Sequence, residues 1–389
     1  MDDDRTFDEL GEACLSRKEL LKKSVAAGLT LTAAGLLAGA ADAAFSAPSP
    51  KWQRLIDAAQ KEGQLSLYTL VGDPFISMAK TFGDRYGIKV DLTQGRIGDL
   101  STKMLAERQA GKYNVDALYQ TWSVMNETLL PARALNPVKP ALSNPDAIDP
   151  RKWVDRQIKF LDKEKTYLPV IGRLPALIYA YNTQRLNPRD EPKTLEQLLQ
   201  YKGEIQLSML GASGDDYLQW MYWGGHQRFL KQLGELKQPM IADLTAGFRS
   251  LARGDFTILM GGTQVRLDPL VRSGLPLKAV GFLPRESPTA GMVTYNAATP
   301  AIVNRAPHPN AAKLFVNWML GREGGTLAAR AGGNESLRTD VPKDKTVLLP
   351  YDRIDRRAYA KRRYVISDLK VISVQETVRA AIKQRYFNY

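Results

Sequence analysis

The sequence predicts an α/β protein built as two lobes of similar pattern, and three observations lead there. Short apolar strands alternate with amphipathic helices from residue 50 to about 130. The alternation breaks over residues 131–170, where Pro131, Pro137, Pro140, Pro145 and Pro150 punctuate an irregular segment, and it resumes near residue 194. Of the 389 residues, about 340 follow an N-terminal leader, a length that suits two lobes under the usual domain sizes.

Ser49-Pro50-Lys51-Trp52 opens the first helix, with a capping Ser, Pro at the first helical position, Trp52, Leu55, Ile56 and Ala59 on one face, and Gly63 as the stop. The strand 65–70 follows. Gly72-Asp73-Pro74 starts a helix whose Phe75, Met78, Ala79 and Phe82 repeat at helical spacing until Gly87. The next strand is expected over 88–92, a loop over 95–99, a helix over 100–110 ending at Gly111, and a third strand over 115–118. In the second half, Thr194-Leu-Glu-Gln197 fits a capping box, and 205–208 reads as a strand. The loop 211–216 feeds an aromatic-rich helix, a later helix ends at Arg253-Gly254, and the strand 256–260 leads through loop 261–264 to a helix ending at Ser273-Gly274. In such a sheet, binding loops lie at strand C-termini and helix N-termini. That marks 71–73, 95–99, 119–122, 211–216 and 261–264.

Residues 1–47 read as an address rather than structure. Lys22 and Lys23 precede an uncharged run over 24–41, and Ala41-Asp42-Ala43 supplies a small-x-small cleavage site, so a secretory signal peptide cleaved near Ala43 to Ala47 is expected. The run carries Gly and Thr where a membrane anchor would be rich in Leu, Ile and Phe. Ser16-Arg17-Lys18-Glu19-Leu20-Leu21-Lys22 resembles the twin-arginine motif S-R-R-x-F-L-K, with Lys18 at the second arginine and Leu20 at the aromatic position. Twin-arginine and general secretory routes both stay open, because lysine does not reproduce a planar guanidinium.

Cleavage raises the formal charge from +13 to +16, since residues 1–47 hold five Lys/Arg against eight Asp/Glu. A basic chain suits an anionic ligand, an anionic membrane surface or nucleic acid. Nucleic acid is not expected of an exported chain in which no Lys/Arg run interleaved with aromatics dominates a helix. The one cysteine, Cys14, lies before the cleavage site, so the mature chain has no thiol for a disulfide, a thiolate nucleophile or a Cys-ligated metal.

Several segments, taken in order, resemble the periplasmic solute-binding proteins of ABC importers, in the branch that contains the ferric-binding proteins. These are 55–63 with 67–69, 86–90, 106–116, 179–183 with Pro192-Lys-Thr194, and 306–318 through Arg322-Glu-Gly324. The resemblance covers roughly residues 50–340 and implies a type II periplasmic-binding-protein fold, with the ligand cleft between two lobes. It implies residues 48–178 and 283–335 for lobe 1, 179–282 for lobe 2, and a helical, basic segment over 336–389 packing on lobe 2. It also implies a monomeric receptor with an inner-membrane ABC permease as partner, no cofactor and no enzymatic activity.

Ferric-binding members carry an adjacent Tyr-Tyr pair after the strand matching 256–260; Gly261-Gly-Thr-Gln-Val265 has none, so bare ferric ion is not expected, and ferric iron bound with an oxyanion stays open as an alternative. Thr263 and Gln264 offer hydroxyl and amide groups instead, which suit an organic or oxyanion ligand. Arg96, in a Gly-flanked loop, is the candidate clamp for a carboxylate or phosphonate, and Arg173 is a second. Tyr68, Thr69, Tyr119 and Trp122 end or follow strands at the same edge, Ser213 lies in the second-lobe loop, and Tyr295 sits where the family returns to lobe 1. Asp215 and Asp216 fit a helix start or, beside Tyr217, Trp220 and Trp223, an ammonium site, so the solute is anionic or zwitterionic.

The rival class is a periplasmic enzyme. Only His226 and His308 are available, neither at metal-ligand spacing, and no Gly-rich phosphate fingerprint occurs. The last segment, 351–389, holds ten Lys/Arg and four Asp/Glu and reads either as a solvated face or as a contact for anionic lipid or an acidic partner.

Overall fold

The structure is a computed structural model that describes residues 49–175, 177–208, 216–241, 243–262, 264–286, 289–294, 298–342, 364–366 and 382–387. Residues 1–48, with the expected leader, lie outside the described residues. Ser49 Oγ accepts from Trp52 N at 3.3 Å and Pro50 takes the first position of helix Pro50–Glu62. Gly63 ends that helix at φ +67, a left-handed turn open to glycine, and its N–H closes on Ala59 O.

The chain then winds β1 (Gln64–Thr69), helix Asp73–Tyr86, β2 (Lys89–Gln94), helix Ile97–Gln109, β3 (Ala117–Thr121) and the short β4 (Leu135–Asn136). β1 pairs in parallel with β2 (Thr69 opposite Gln94) and with β3 (Thr69 opposite Tyr119), so all three strands end at one edge. The helix expected from 100 begins at Ile97, which shortens the loop to Gly95-Arg96. The five-stranded order β2-β1-β3-β12-β4 is completed by β12 (Ala298–Val303), antiparallel to β3.

Behind this sheet, helix Pro309–Met319 packs against helix Pro50–Glu62. Its N-terminus lacks a side-chain cap of its own. The Glu62 carboxylate replaces it, accepting from Asn310 N at 2.9 Å and Ala311 N at 2.8 Å. Phe82, Phe315 and Trp318 meet with ring centroids 5.3 to 6.2 Å apart. The proline-punctuated segment is held by buried polar side chains rather than by regular pairing. Asn317 Oδ1 accepts from Ser143 N and Asn144 N at 2.8 and 2.9 Å, and fully buried Asp162 accepts from the N–H groups of Thr166, Tyr167 and Leu168.

The second sheet, in order β10-β6-β9-β7-β8, contains β6 (Tyr179–Asn182), β7 (Ile205–Ser208), β8 (Met240–Ile241), β9 (Ile258–Met260) and β10 (Leu277–Val280). Parallel β7 and β9 are its counterpart of β1 and β3. The capping box at Thr194 forms as expected, with Gln197 N donating to Thr194 Oγ1. The apolar core divides in the same way. One cluster gathers residues of 52–171 with 298–337, while residues of 177–283 form clusters on the second sheet.

Among the described residues, two paired strands carry the chain between these bodies. β5 (Gly172–Pro175) leads out of the first core and β11 (Gly291–Thr294) leads back, and they pair antiparallel, Val293 opposite Pro175. β13 (Glu335–Ser336) flanks β5, and β14 (Tyr364–Ile366) pairs in parallel with β11. Of the C-terminal segment, expected to be helical, Lys383–Phe387 is a helical turn, whereas Tyr364–Ile366 is a strand that completes the open edge of β11. Farther on, Ile382 is fully buried among Phe229, Leu230 and Leu233 of helix Gln227–Glu235.

Candidate functional site

Parallel strands place their C-terminal loops together, and at this edge of the first sheet the loops are stitched to one another. Gly95 N donates to Thr69 O at 3.1 Å. Gln94 Nε2 donates to Leu70 O at 2.9 Å and Gly72 O at 3.0 Å, and Gln120 Nε2 donates to Gly95 O at 3.1 Å. Two side-chain amides therefore tie these loops to one another. Helices Asp73–Tyr86 and Ile97–Gln109 both start here, and neither has a side-chain cap. Their first N–H groups and the positive ends of their dipoles favour an anion at this edge.

Arg96 occupies the N-cap position of the second of these helices. Its side chain is exposed and makes no ion pair or hydrogen bond among the described residues. Asp73 and Asp99 sit in the first turns of the same two helices and offset part of the positive potential.

The aromatic candidates lie deeper than expected. Tyr119 is fully buried, packs at 6.1 Å from the Phe75 ring, and burial alone drives its hydroxyl well above the ordinary tyrosine range, so it remains protonated. Tyr68 is 4% exposed; burial raises its pKa, partly offset by Lys103, whose ammonium lies 5.9 Å from the ring centre. Trp122 is 1% exposed at the start of the short helix after β3. These three side chains therefore belong to the core under the edge, and the apolar face of each strand end explains why. Tyr119 Oη, Trp122 Nε1 and Gln120 Oε1 are buried with no hydrogen-bond partner among the described residues. Thr69, also fully buried, turns its hydroxyl to Leu70 O.

Arg173 is committed elsewhere. It lies on β5 and its Nε donates to Glu335 Oε2 of β13 at 2.8 Å, so its charge is matched inside the third sheet.

On the second sheet, β9 ends at Met260 and the chain turns through Gly261 and Gly262 at φ +83 and +110 before helix Gln264–Arg272. A Cβ on Gly262 would stand 2.6 Å from Phe248 Cζ, so only glycine fits this approach. Ser213, Asp215, Thr263 and Tyr295 lie outside the described residues. So do the side chains of Asp216 and Gln264, which begin helices Asp216–Trp223 and Gln264–Arg272. Tyr217 and Trp220 are fully buried, so the aromatic stripe there is core. Sequence reading missed Gln94 and Gln120. The available signal was an amide at or next to the end of the two parallel strands that flank β1.

The two histidines have structural settings. His308 Nδ1 lies 2.9 Å from buried Asp116 Oδ2, and His308 N donates to Oδ1 of the same carboxylate. His226 Nε2 lies 2.8 Å from Thr289 Oγ1, with its Nδ1 3.8 Å from Glu286 Oε1. Burial lowers the His226 pKa, so the folded chain disfavours the protonated ring. Stability should then fall as pH drops below about 6.5, the ordinary histidine range, and the His226→Gln variant should show a shallower loss in urea titrations at pH 7 and 5.5. Equal slopes in both proteins would reject this assignment. No group of three or more His, Cys, Asp and Glu side chains able to hold a metal occurs among the described residues.

The model of a family described as bacterial extracellular solute-binding protein matches residues 77–348. An uncharacterized protein of Haemophilus influenzae is 26% identical over 295 residues, which is 69% of this chain and 75% of that protein. Among solved structures, iron-bound HitA from Pseudomonas aeruginosa superposes with a TM-score of 0.59 at 19% identity, covering 82% of this chain and 99% of that one. The periplasmic binding protein AfuA from Actinobacillus pleuropneumoniae, with fructose-6-phosphate bound, superposes with a TM-score of 0.57 at 18% identity, covering 83% and 98%.

Proposed function

The chain belongs to the bacterial extracellular solute-binding proteins, and from that premise we propose that it captures a small anionic or zwitterionic solute and delivers it to an ABC permease of the inner membrane. Members of this family are binding proteins rather than enzymes. The mature chain works in the periplasm, after its leader is removed, as a monomer with no cofactor and no nucleic-acid partner.

The observation that carries the anionic solute is the unpartnered guanidinium of Arg96 beside two uncapped helix starts, on loops held by Gln94 and Gln120. A carboxylate, phosphonate or phosphate ester would take Arg96 and the helix N–H groups together. Thr263, Gln264, Ser213, Asp216 and Tyr295 would contribute from the other side, and closing about β5 and β11 would bring both sets onto the solute. AfuA holds a sugar phosphate, which is an anion of this class, whereas HitA holds iron. The absence of a tyrosine pair in Gly261-Gly-Thr-Gln-Val265 speaks against bare ferric ion here.

Thermal-shift screening of phosphate esters, phosphonates, carboxylates, amines and ferric citrate tests the reading. A solute at a hundred times its Kd adds about 2.7 kcal/mol to stability and raises Tm. An anion should give the largest shift. Stabilisation by iron alone, or turnover of any compound, would overturn it.

A further inference from the structure

We propose that Arg108, Arg133 and Arg305 form a second anion site, for a phosphate group, at the N-terminal edge of β3 and therefore at the opposite end of the first sheet from Arg96. Tyr113 precedes β3, Asn304 and Arg305 follow antiparallel β12, and Arg108 ends its helix, so topology brings all of them to one edge. These residues, with Arg133, line a single pocket.

The guanidinium groups are oriented but not neutralised. Arg108 Nη1 donates to Asn304 O at 2.7 Å and its Nη2 to Asn304 Oδ1 at 3.3 Å. Arg305 Nη1 donates to Tyr113 Oη at 2.6 Å. Both guanidinium carbons lie over the Tyr113 ring, at 5.1 and 5.3 Å from its centre. None of the three arginines makes an ion pair among the described residues, and the adjacent carboxylate, Glu107, is turned to Lys103 at 4.0 Å. Three cations sharing one pocket repel each other unless an anion joins them. The forked donors left over match the oxygens of a phosphate.

Arg133 and Arg305 stand at φ +53 and +56, a left-handed conformation that favours glycine, yet the sequence places long cations at both. The phosphate could be free, in a small ester, or the headgroup of an anionic lipid; all three present the same oxygens.

The Arg133→Gly/Arg305→Gly double variant tests the site cleanly, because glycine suits both backbone positions and folding is not put at risk. Arg228→Ala/Arg249→Ala, on exposed positions of the second body, removes the same charge elsewhere. Inorganic phosphate is titrated calorimetrically into the mature chain, and phosphatidylglycerol and phosphatidylcholine vesicles are tested by co-sedimentation, all at low salt. The expected result is binding of phosphate, of phosphatidylglycerol vesicles, or of both, weakened at least tenfold in the glycine pair and unchanged in the alanine pair. Phosphate binding identifies a small ligand; vesicle binding alone identifies a lipid headgroup. No binding of either probe, equal binding by the glycine pair, or equal weakening by the alanine pair overturns the proposal.

Discussion

Replacing Arg338 by alanine is expected to cost about 3–5 kcal/mol of folding stability, the range for breaking one side of a buried ion pair. The side chain is 1% exposed, and its guanidinium donates to five acceptor atoms, Asp340 Oδ1 taking the Nε–H at 2.9 Å. Its Nη1 donates to Asp146 O and Leu320 O, both at 2.9 Å, and its Nη2 to Asp146 Oδ1 at 3.0 Å and Asp340 Oδ2 at 2.8 Å. The alanine variant leaves two carboxylates and two carbonyls facing a void beside Trp153, over whose ring the guanidinium lies. Asp340→Asn should then cost less in the Arg338→Ala background than in the wild type, as a double-mutant cycle in urea would show. Additive losses would mean that the carboxylate contributes nothing through Arg338. The same cluster predicts a pH effect. Burial would raise the Asp146 pKa, but the bonds from Lys152 Nζ and Arg322 N and the charge of Arg338 outweigh it and the net shift is downward. The folded chain therefore binds that proton more weakly than the unfolded chain. The resulting stability is present above the ordinary carboxylate range and is lost as pH falls through it.

The Arg96→Ala variant is expected to weaken capture of the anionic solute by about 10- to 100-fold, since a hydrogen bond to a charged group contributes about 1.5–3 kcal/mol. Its Tm without solute should not move, because the side chain is exposed and makes no contact that folding needs. Calorimetric titration with the anion found by the thermal screen reads the affinity, and Arg96→Lys separates charge from geometry. A bidentate guanidinium predicts only partial rescue by lysine. Unchanged affinity in the alanine variant would remove Arg96 from the site.

Much of the fold was legible because its signals are local. Ser49-Pro50, Gly63, Gly87 and the Thr194 capping box mark helix ends through bonds that span three or four residues, and each forms where the sequence places it. The candidate site was legible only as a set of loops. Its Gly-flanked turn singles out Arg96 as a candidate, but Tyr68, Tyr119 and Trp122 look the same in sequence whether they face solvent or core. Arg173 looked available until Glu335, 162 positions away, was brought against it.

The sequence by itself determined the alternating α/β class, the two-lobe pattern, the place of the only cysteine ahead of the apolar run, and the absence of a ferric tyrosine pair, since each follows from composition or short-range pattern. Only the tertiary structure decided which charges are matched and which are left over. Glu62 caps a helix that begins 247 positions later, at Pro309, Arg338 is buried between two aspartates, and Arg108, Arg133 and Arg305 share a pocket without a carboxylate. Electrostatic pairing acts over a few ångströms in space, and the packing of the sheets, rather than spacing along the chain, sets those distances.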